Sequence, residues 1–281
     1  MRLRLKKDLI GVKMSLEYRN YSIPLIGFSW DSNTDWDTAK SRANEDGLKL
    51  ARFISDYKET CKYDHNKDVA VRLLGHSIGS RVILSALQDL HNDPVWNNST
   101  NNFKIASVHL MGAAVDDSEV SKDTSGIRND PAKHAYGNAI EAEVTRFYNL
   151  FDPQDNMLEY IYPFFEGSSA LGGDGKASGI DEAATPPYYE INVQTKIEPI
   201  GDADRIADQH PLFCRYFSSD LCEVTIKDYD LGLCAGFVFS YTCDVGRGDN
   251  HAGYLGFRSQ NSSNTLASDG AMKIVVDSWR N

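Results

Sequence analysis

Ser77 stands between two glycines in Gly75-His76-Ser77-Ile78-Gly79, directly behind the apolar run "VRLL" and ahead of "RVILSALQDL". This is the G-x-S-x-G spacing of a serine carried on a sharp strand-to-helix turn. The glycines are expected to let neighbouring backbone approach the turn without a Cβ clash. The hydroxyl would then stand at the end of the strand, over a helix N-terminus. There the backbone N–H of Ile78, aided by the helix dipole, would face a developing oxyanion. The chemistry implied is nucleophilic attack by a serine whose proton is taken by a base. The competing reading is a glycine-flanked helix cap with Ser77 as N-cap. His76 adjoins the serine and cannot easily reach around the turn, so it reads as a pocket residue rather than the base.

A nucleophile on such a turn is followed along the chain by its acid and then its histidine. Asp116 and Asp117 follow one apolar run, and Asp152 and Asp155 follow another in "FYNLFDPQDNMLEY". The latter stretch puts carboxylates in a short loop between a strand and a helix. Asp155, directly before the helix, is the preferred acid. Asp152, followed by proline, is the alternative, with a turn cap as its plainer role. The Asp116–Asp117 pair reads as capping or solvating a loop. His210 and His251 lie well downstream. His251 sits in "GRGDNHAGYLGF", where Gly246, Gly248, Gly253 and Gly256 would let a loop bend inward, so it is the preferred base. His210 lacks that setting.

These residues need a scaffold. Leu5, Leu9, Val12 and Leu16 recur at helical spacing near the N-terminus. "SIPLIGFSW" reads as a short buried strand because its apolar run is nearly continuous. A helix follows over roughly Trp36 to Tyr57. "DVAVRLLG" is a strand, "IGSRVILSALQDL" a helix closed by Asp93-Pro94, and "KIASVHLMGAA" a third strand. A loop from Val115 to Pro131 and a short helix near His134 to Ala142 lead to the strand "EVTRFYNLF" and the helix "NMLEYIYPFF". "YYEINVQTKI" reads as an edge strand and "AMKIVVDSWRN" as a closing helix. Strands alternating with helices indicate an α/β protein with a mainly parallel sheet and helices on both faces. The whole chain, 1–281, reads as one domain. It carries a glycine-rich surface excursion near 167–180, with Leu171 in a mobile flap, and a cysteine-containing irregular segment near 200–250.

Composition narrows the partners. The chain has 281 residues and a formal net charge of -11, which disfavours nucleic acid and anionic membrane surfaces. No apolar run approaches the ~20 residues of a membrane span. No export signal is visible, so a cytoplasmic location is the default expectation, with secretion left open. Cys214, Cys222, Cys234 and Cys243 lack the short paired spacing of most zinc sites, so no metal is expected; partly buried thiols are the plain reading, and one or two disulfides the alternative in an oxidising compartment. No cofactor motif is present: "GHSIGSR" lacks G-x-G-x-x-G, which argues against a dinucleotide. The aromatics around the candidate acid (Phe151, Tyr160, Tyr162, Phe164 and Phe165) read mostly as core, with some available to an apolar acyl pocket.

"PLIGFSWDS", "VRLLGHSIGSRVI", "VHLMGAAVDD", "FYNLFDPQDNML" and "GDNHAGYLGF" together resemble the alpha/beta-hydrolase superfamily, and within it an uncharacterised microbial branch of serine hydrolases. The resemblance runs from about residue 5 to the end. It implies Ser77 as nucleophile, Asp155 as acid and His251 as base, with an ester, thioester or amide cleaved through an acyl-enzyme. It does not choose the substrate, and acyl transfer uses the same residues. It also implies opening strands, and a loop that donates a second oxyanion N–H. Only Met1 to about Tyr21 precedes "SIPLIGFSW", and those residues read as the helix after that loop, so the chain is expected to be N-terminally truncated relative to the family. Loss of one oxyanion donor typically removes roughly 3 kcal/mol of transition-state stabilisation. Ser29 or Trp30 would be a substitute donor. The alternative expectation is a weak or inactive hydrolase-fold protein that binds a small ligand or a protein partner.

Overall fold

The computed structural model describes residues 12–13, 15–32, 34–122, 133–155, 157–178, 188–197, 251, 254 and 270–280, and the backbone of 222–225 and 238–241. The chain divides into two compact units. One comprises Asp37–Pro153 and Leu158–Asn192. The other comprises Met1–Trp36, Gln154–Met157 and Val193–Asn281.

The first of these units opens with helix α1 (Trp36–Glu59), which ends in a π-helical turn, Thr60–Asp64. Strand β1 (Val71–His76) leads to α2 (Gly79–Asn92), β2 (Ile105–Met111), α3 (Gly137–Glu143) and β3 (Phe147–Phe151). A second π-helical turn (Met157–Ile161) passes into α4 (Tyr162–Glu166). The one-turn helix α5 (Leu171–Asp174) precedes β4 (Tyr188–Asn192). The four strands form one sheet in the order β1-β2-β3-β4, every pair parallel. Parallel neighbours need long crossovers, and here each crossover contains at least one helix.

Apolar burial explains why these segments fold as they do. In β2 all residues but Ala106 are buried, the polar Ser107 and His109 included, which requires cover on both faces. Leu84, Leu87 and Leu90 recur on one face of α2 and are fully buried. Rings add cross-strand order. His109 of β2 stacks on Tyr148 of β3 at 4.4 Å, and Tyr148 stacks on Tyr189 of β4 at 4.7 Å. These residues are register partners, so the ladder runs straight across three strands. Phe147 and Tyr188 stack at 5.0 Å, one residue earlier on each strand and therefore on the opposite face.

In the other unit, residues 12–13 and 15–18 are helical, with Val12 and Leu16 buried as their spacing predicts. Helix α6 (Met272–Arg280) buries Met272, Val275, Val276 and Trp279. Tyr21 ties the two ends of the chain. Its ring lies 5.8 Å from that of Trp279, and Arg280 lies over it at 5.8 Å. Strands β5 (Cys222–Thr225) and β6 (Val238–Tyr241) pair antiparallel. No helix among the described residues is long and apolar enough to cross a membrane.

Three expectations are corrected. Residues 22–30 form no strand and are not buried, and Ile26 is 59% exposed. An apolar run selects no pairing partner by itself, and among the described residues no strand pairs with this one. The glycine-rich stretch after α4 is not a surface flap: Leu171, Gly172 and Gly173 are buried. Its backbone is bonded down by Leu171 N–H to Val115 O at 2.8 Å and Gly172 N–H to Ala113 O at 3.0 Å. A Cβ on Gly172 would lie 2.0 Å from the Ala113 nitrogen, so glycine is there for close approach rather than mobility. Finally, Tyr160 and Phe164 are exposed rather than core, whereas Tyr162 between them is buried. The pairing of Cys214, Cys222, Cys234 and Cys243, and the placement of His210, lie outside the described residues.

Candidate active site

Ser77 follows the last residue of β1, and its backbone φ is +55°. A non-glycine residue in the left-handed region is held there by its surroundings at a cost of order 1–3 kcal/mol. The holding bonds are visible. Ser77 N–H donates to Met111 O at 3.1 Å, and Ser77 O accepts from Ser80 N–H at 3.0 Å and Ala114 N–H at 3.2 Å. The elbow is thus fastened both to the end of β2 and to the loop after it. Helix α2 starts at once, with Ile78 at the N-cap position and no side-chain cap bond. Ser77 is therefore not the cap. Among the described residues the Ile78 N–H donates to no backbone carbonyl, as expected for the open first turn of a helix.

The two glycines differ. A Cβ on Gly75 would lie 2.8 Å from Ile83 Cδ1 and 3.2 Å from Ser80 Cα, whereas a Cβ on Gly79 would meet nothing within 4 Å. Close approach therefore requires Gly75 alone. His76 closes β1 in register with Met111.

Asp155 and His251 are brought together in the other unit. His251 Nδ1 lies 2.7 Å from Asp155 Oδ2, and the second carboxylate oxygen accepts from Met157 N–H at 3.1 Å. Asp155 is fully buried, and the imidazole keeps 14% of its side-chain surface. Such a carboxylate fixes both the orientation and the tautomer of a ring, leaving Nε2 as the proton-accepting nitrogen. Asp152, the alternative acid, is buried at the end of β3, with its N–H donating to Gly172 O at 3.0 Å.

Several buried charges had no clear signal in the sequence. Arg81, in the first turn of α2, and Glu119, in the loop after β2, have no accessible side-chain surface and pair through both guanidinium arms at 2.9 and 2.7 Å. Burial works against the arginine charge, but the Glu119 carboxylate more than offsets it and raises the pKa above the usual value. Lys133 donates to Asp116 at 2.9 Å, Glu166 at 3.1 Å and Ser168 at 3.1 Å, and Lys40 adds a second bond to Glu166 at 2.8 Å. The expectation that Asp116 caps or solvates a loop is half corrected. It caps, accepting from Ser118 N–H at 3.0 Å, but it is buried. Burial would raise its carboxyl, yet bonds from Ser118, Ser168 and Lys133 outweigh that and hold it well below the usual carboxylate range. Asp117 beside it is pushed up to about 7 by burial and then by the Asp116 and Asp174 carboxylates. The only signal for Arg81 is a charged residue wedged beside the apolar run "VILSAL".

A parallel sheet whose strand β1 ends in a strained serine, followed at once by a helix, defines an alpha/beta-hydrolase-like protein. The chain belongs to the family described as alpha/beta hydrolase of unknown function (DUF900), whose model matches residues 13–172. That span contains the elbow and Asp155. No curated protein and no solved structure matches the chain.

Proposed function

We propose that this protein is a serine hydrolase cleaving an ester, or a related thioester or amide, of a small acyl substrate through an acyl-enzyme. Ser77 is the nucleophile, His251 the base, Asp155 the acid, and the Ile78 N–H an oxyanion donor. The observation that carries this reading is the left-handed Ser77 at the end of β1, a strained backbone with no structural purpose in a plain helix cap. The Asp155–His251 bond supports it independently.

In the proposed reaction Ser77 Oγ attacks the acyl carbon as its proton passes to His251 Nε2. Negative charge gathers on the carbonyl oxygen, where an N–H at a helix start is worth most. Collapse expels the leaving alkoxide, which takes the proton from His251. Water then attacks the acyl-serine with His251 again as base, releasing the acid and restoring Ser77. Asp155 orients the ring and stabilises the imidazolium.

Hydrolysis of a small activated ester tests the reading. S77A, H251A and the double variant are expected to lose turnover to similar extents, because residues acting as one unit are not additive. Losses that multiply in the double variant would contradict it.

A further inference from the structure

We infer that the buried Arg81–Glu119 ion pair is a positioning device for the Ser77 elbow; the inference rests on Ser77 being the nucleophile. Arg81 lies one helical turn beyond Ser77, and its own N–H bonds to Ile78 O at 3.1 Å. Its guanidinium reaches Glu119 through two arms, at 2.9 and 2.7 Å. Glu119 is itself held from several sides. Its carboxylate accepts from Asp116 N–H at 2.9 Å and His134 N–H at 3.0 Å, and its carbonyl accepts from Tyr136 N–H at 2.7 Å. The loop that Glu119 anchors is the one that grips the elbow, through Ala114 N–H on Ser77 O. Helix start, loop and serine thus form a closed ring of contacts, and the ion pair is the side-chain link between the helix start and the loop.

Stability alone is a poor reason for this pair. Replacing a fully buried ion pair with apolar side chains of similar size is often neutral or stabilising, because desolvation offsets the attraction. A two-armed arginine–carboxylate contact does fix direction and distance, which apolar packing does not. A serine kept in the left-handed region needs surroundings that over-determine it. The pair supplies that constraint at the point where the chain turns from elbow into helix.

The test compares the full-length wild type with R81M/E119M, which removes both charges, and with R81K, which keeps the charge but not the fork. Hydrolysis of an activated ester gives kcat and KM. Amide hydrogen exchange of Ser77 and Ala114 reports the elbow without reference to activity. The double variant is expected to stay folded and to lose kcat by on the order of 10- to 100-fold, the scale of a displaced catalytic group, with KM little changed. The Ser77 and Ala114 amides should exchange faster while those of β2 do not. R81K should shift both readouts in the same sense, and it decides the matter if the double variant does not fold. Wild-type kcat together with wild-type exchange in a folded variant would overturn the inference. If the wild type turns over no ester, the nucleophile reading fails, and the two amides alone decide whether the pair holds the elbow.

Discussion

At the scale of single residues, the elbow and the Asp155–His251 pair make separable demands. Asp155 bonds to the ring, whereas Asp152 closes β3 through its backbone. D155N should leave the protein folded and lower turnover by about 10^4, because the amide no longer holds the imidazole in its tautomer or stabilises its protonated form. D152N should lower turnover far less. Rates of both on one ester, beside circular dichroism, check the assignment; the reverse order would transfer the acid role to Asp152. The glycines give a second contrast. G79A adds a methyl group in open space at a helix start and is expected to be neutral or stabilising by up to about 1 kcal/mol. G75A pushes a methyl group toward Ile83 and Ser80 and should cost about 1–3 kcal/mol. Denaturant midpoints of the two variants measure the difference.

At the scale of elements, the ring ladder across β2, β3 and β4 makes stability depend on pH. Burial, reinforced by Arg146 and Arg72, pulls the pKa of His109 from its ordinary 6.5 down to about 3. The folded protein keeps this ring neutral where the unfolded chain takes up a proton. Its contribution is therefore complete above about pH 6.5 and is lost as pH falls toward 3. H109F, which keeps a flat ring, should lose less stability than the wild type between pH 7 and pH 4 in urea titrations. Equal losses would remove His109 from the account. Helices α1 and α2 were legible because each is a long segment with a clear start, and strands β1 to β3 because each is a short apolar-rich run between turn signals. Residues 22–30 misled because an apolar run does not name its neighbour in a sheet. The stretch around Gly172 misled because glycine serves close backbone approach as readily as flexibility. Of the proposed site, the sharp turn at Ser77 was legible from the glycine spacing, and Asp155 and His251, which the fold puts in contact, were singled out by chain order and loop setting. Glu119 was not, because a charge buried by a distant arginine leaves no local pattern.

At the scale of the molecule, the fold and the family are those of an alpha/beta hydrolase, and the proposed activity turns on one hydroxyl. A chain with net charge -11 should favour neutral or cationic small substrates over anionic ones, an effect that weakens as salt screens the field. Matched neutral and anionic esters, compared at low and high ionic strength, test this; equal kcat/KM at low salt would contradict it. The central claim has a more direct test that needs no knowledge of the substrate. A fluorophosphonate probe reacts only with an activated serine, and peptide mapping locates the adduct. One adduct is expected on the wild-type protein, on Ser77, and none on S77A. A folded wild type that takes no label, or takes it on a different serine, would rule out Ser77 as the nucleophile.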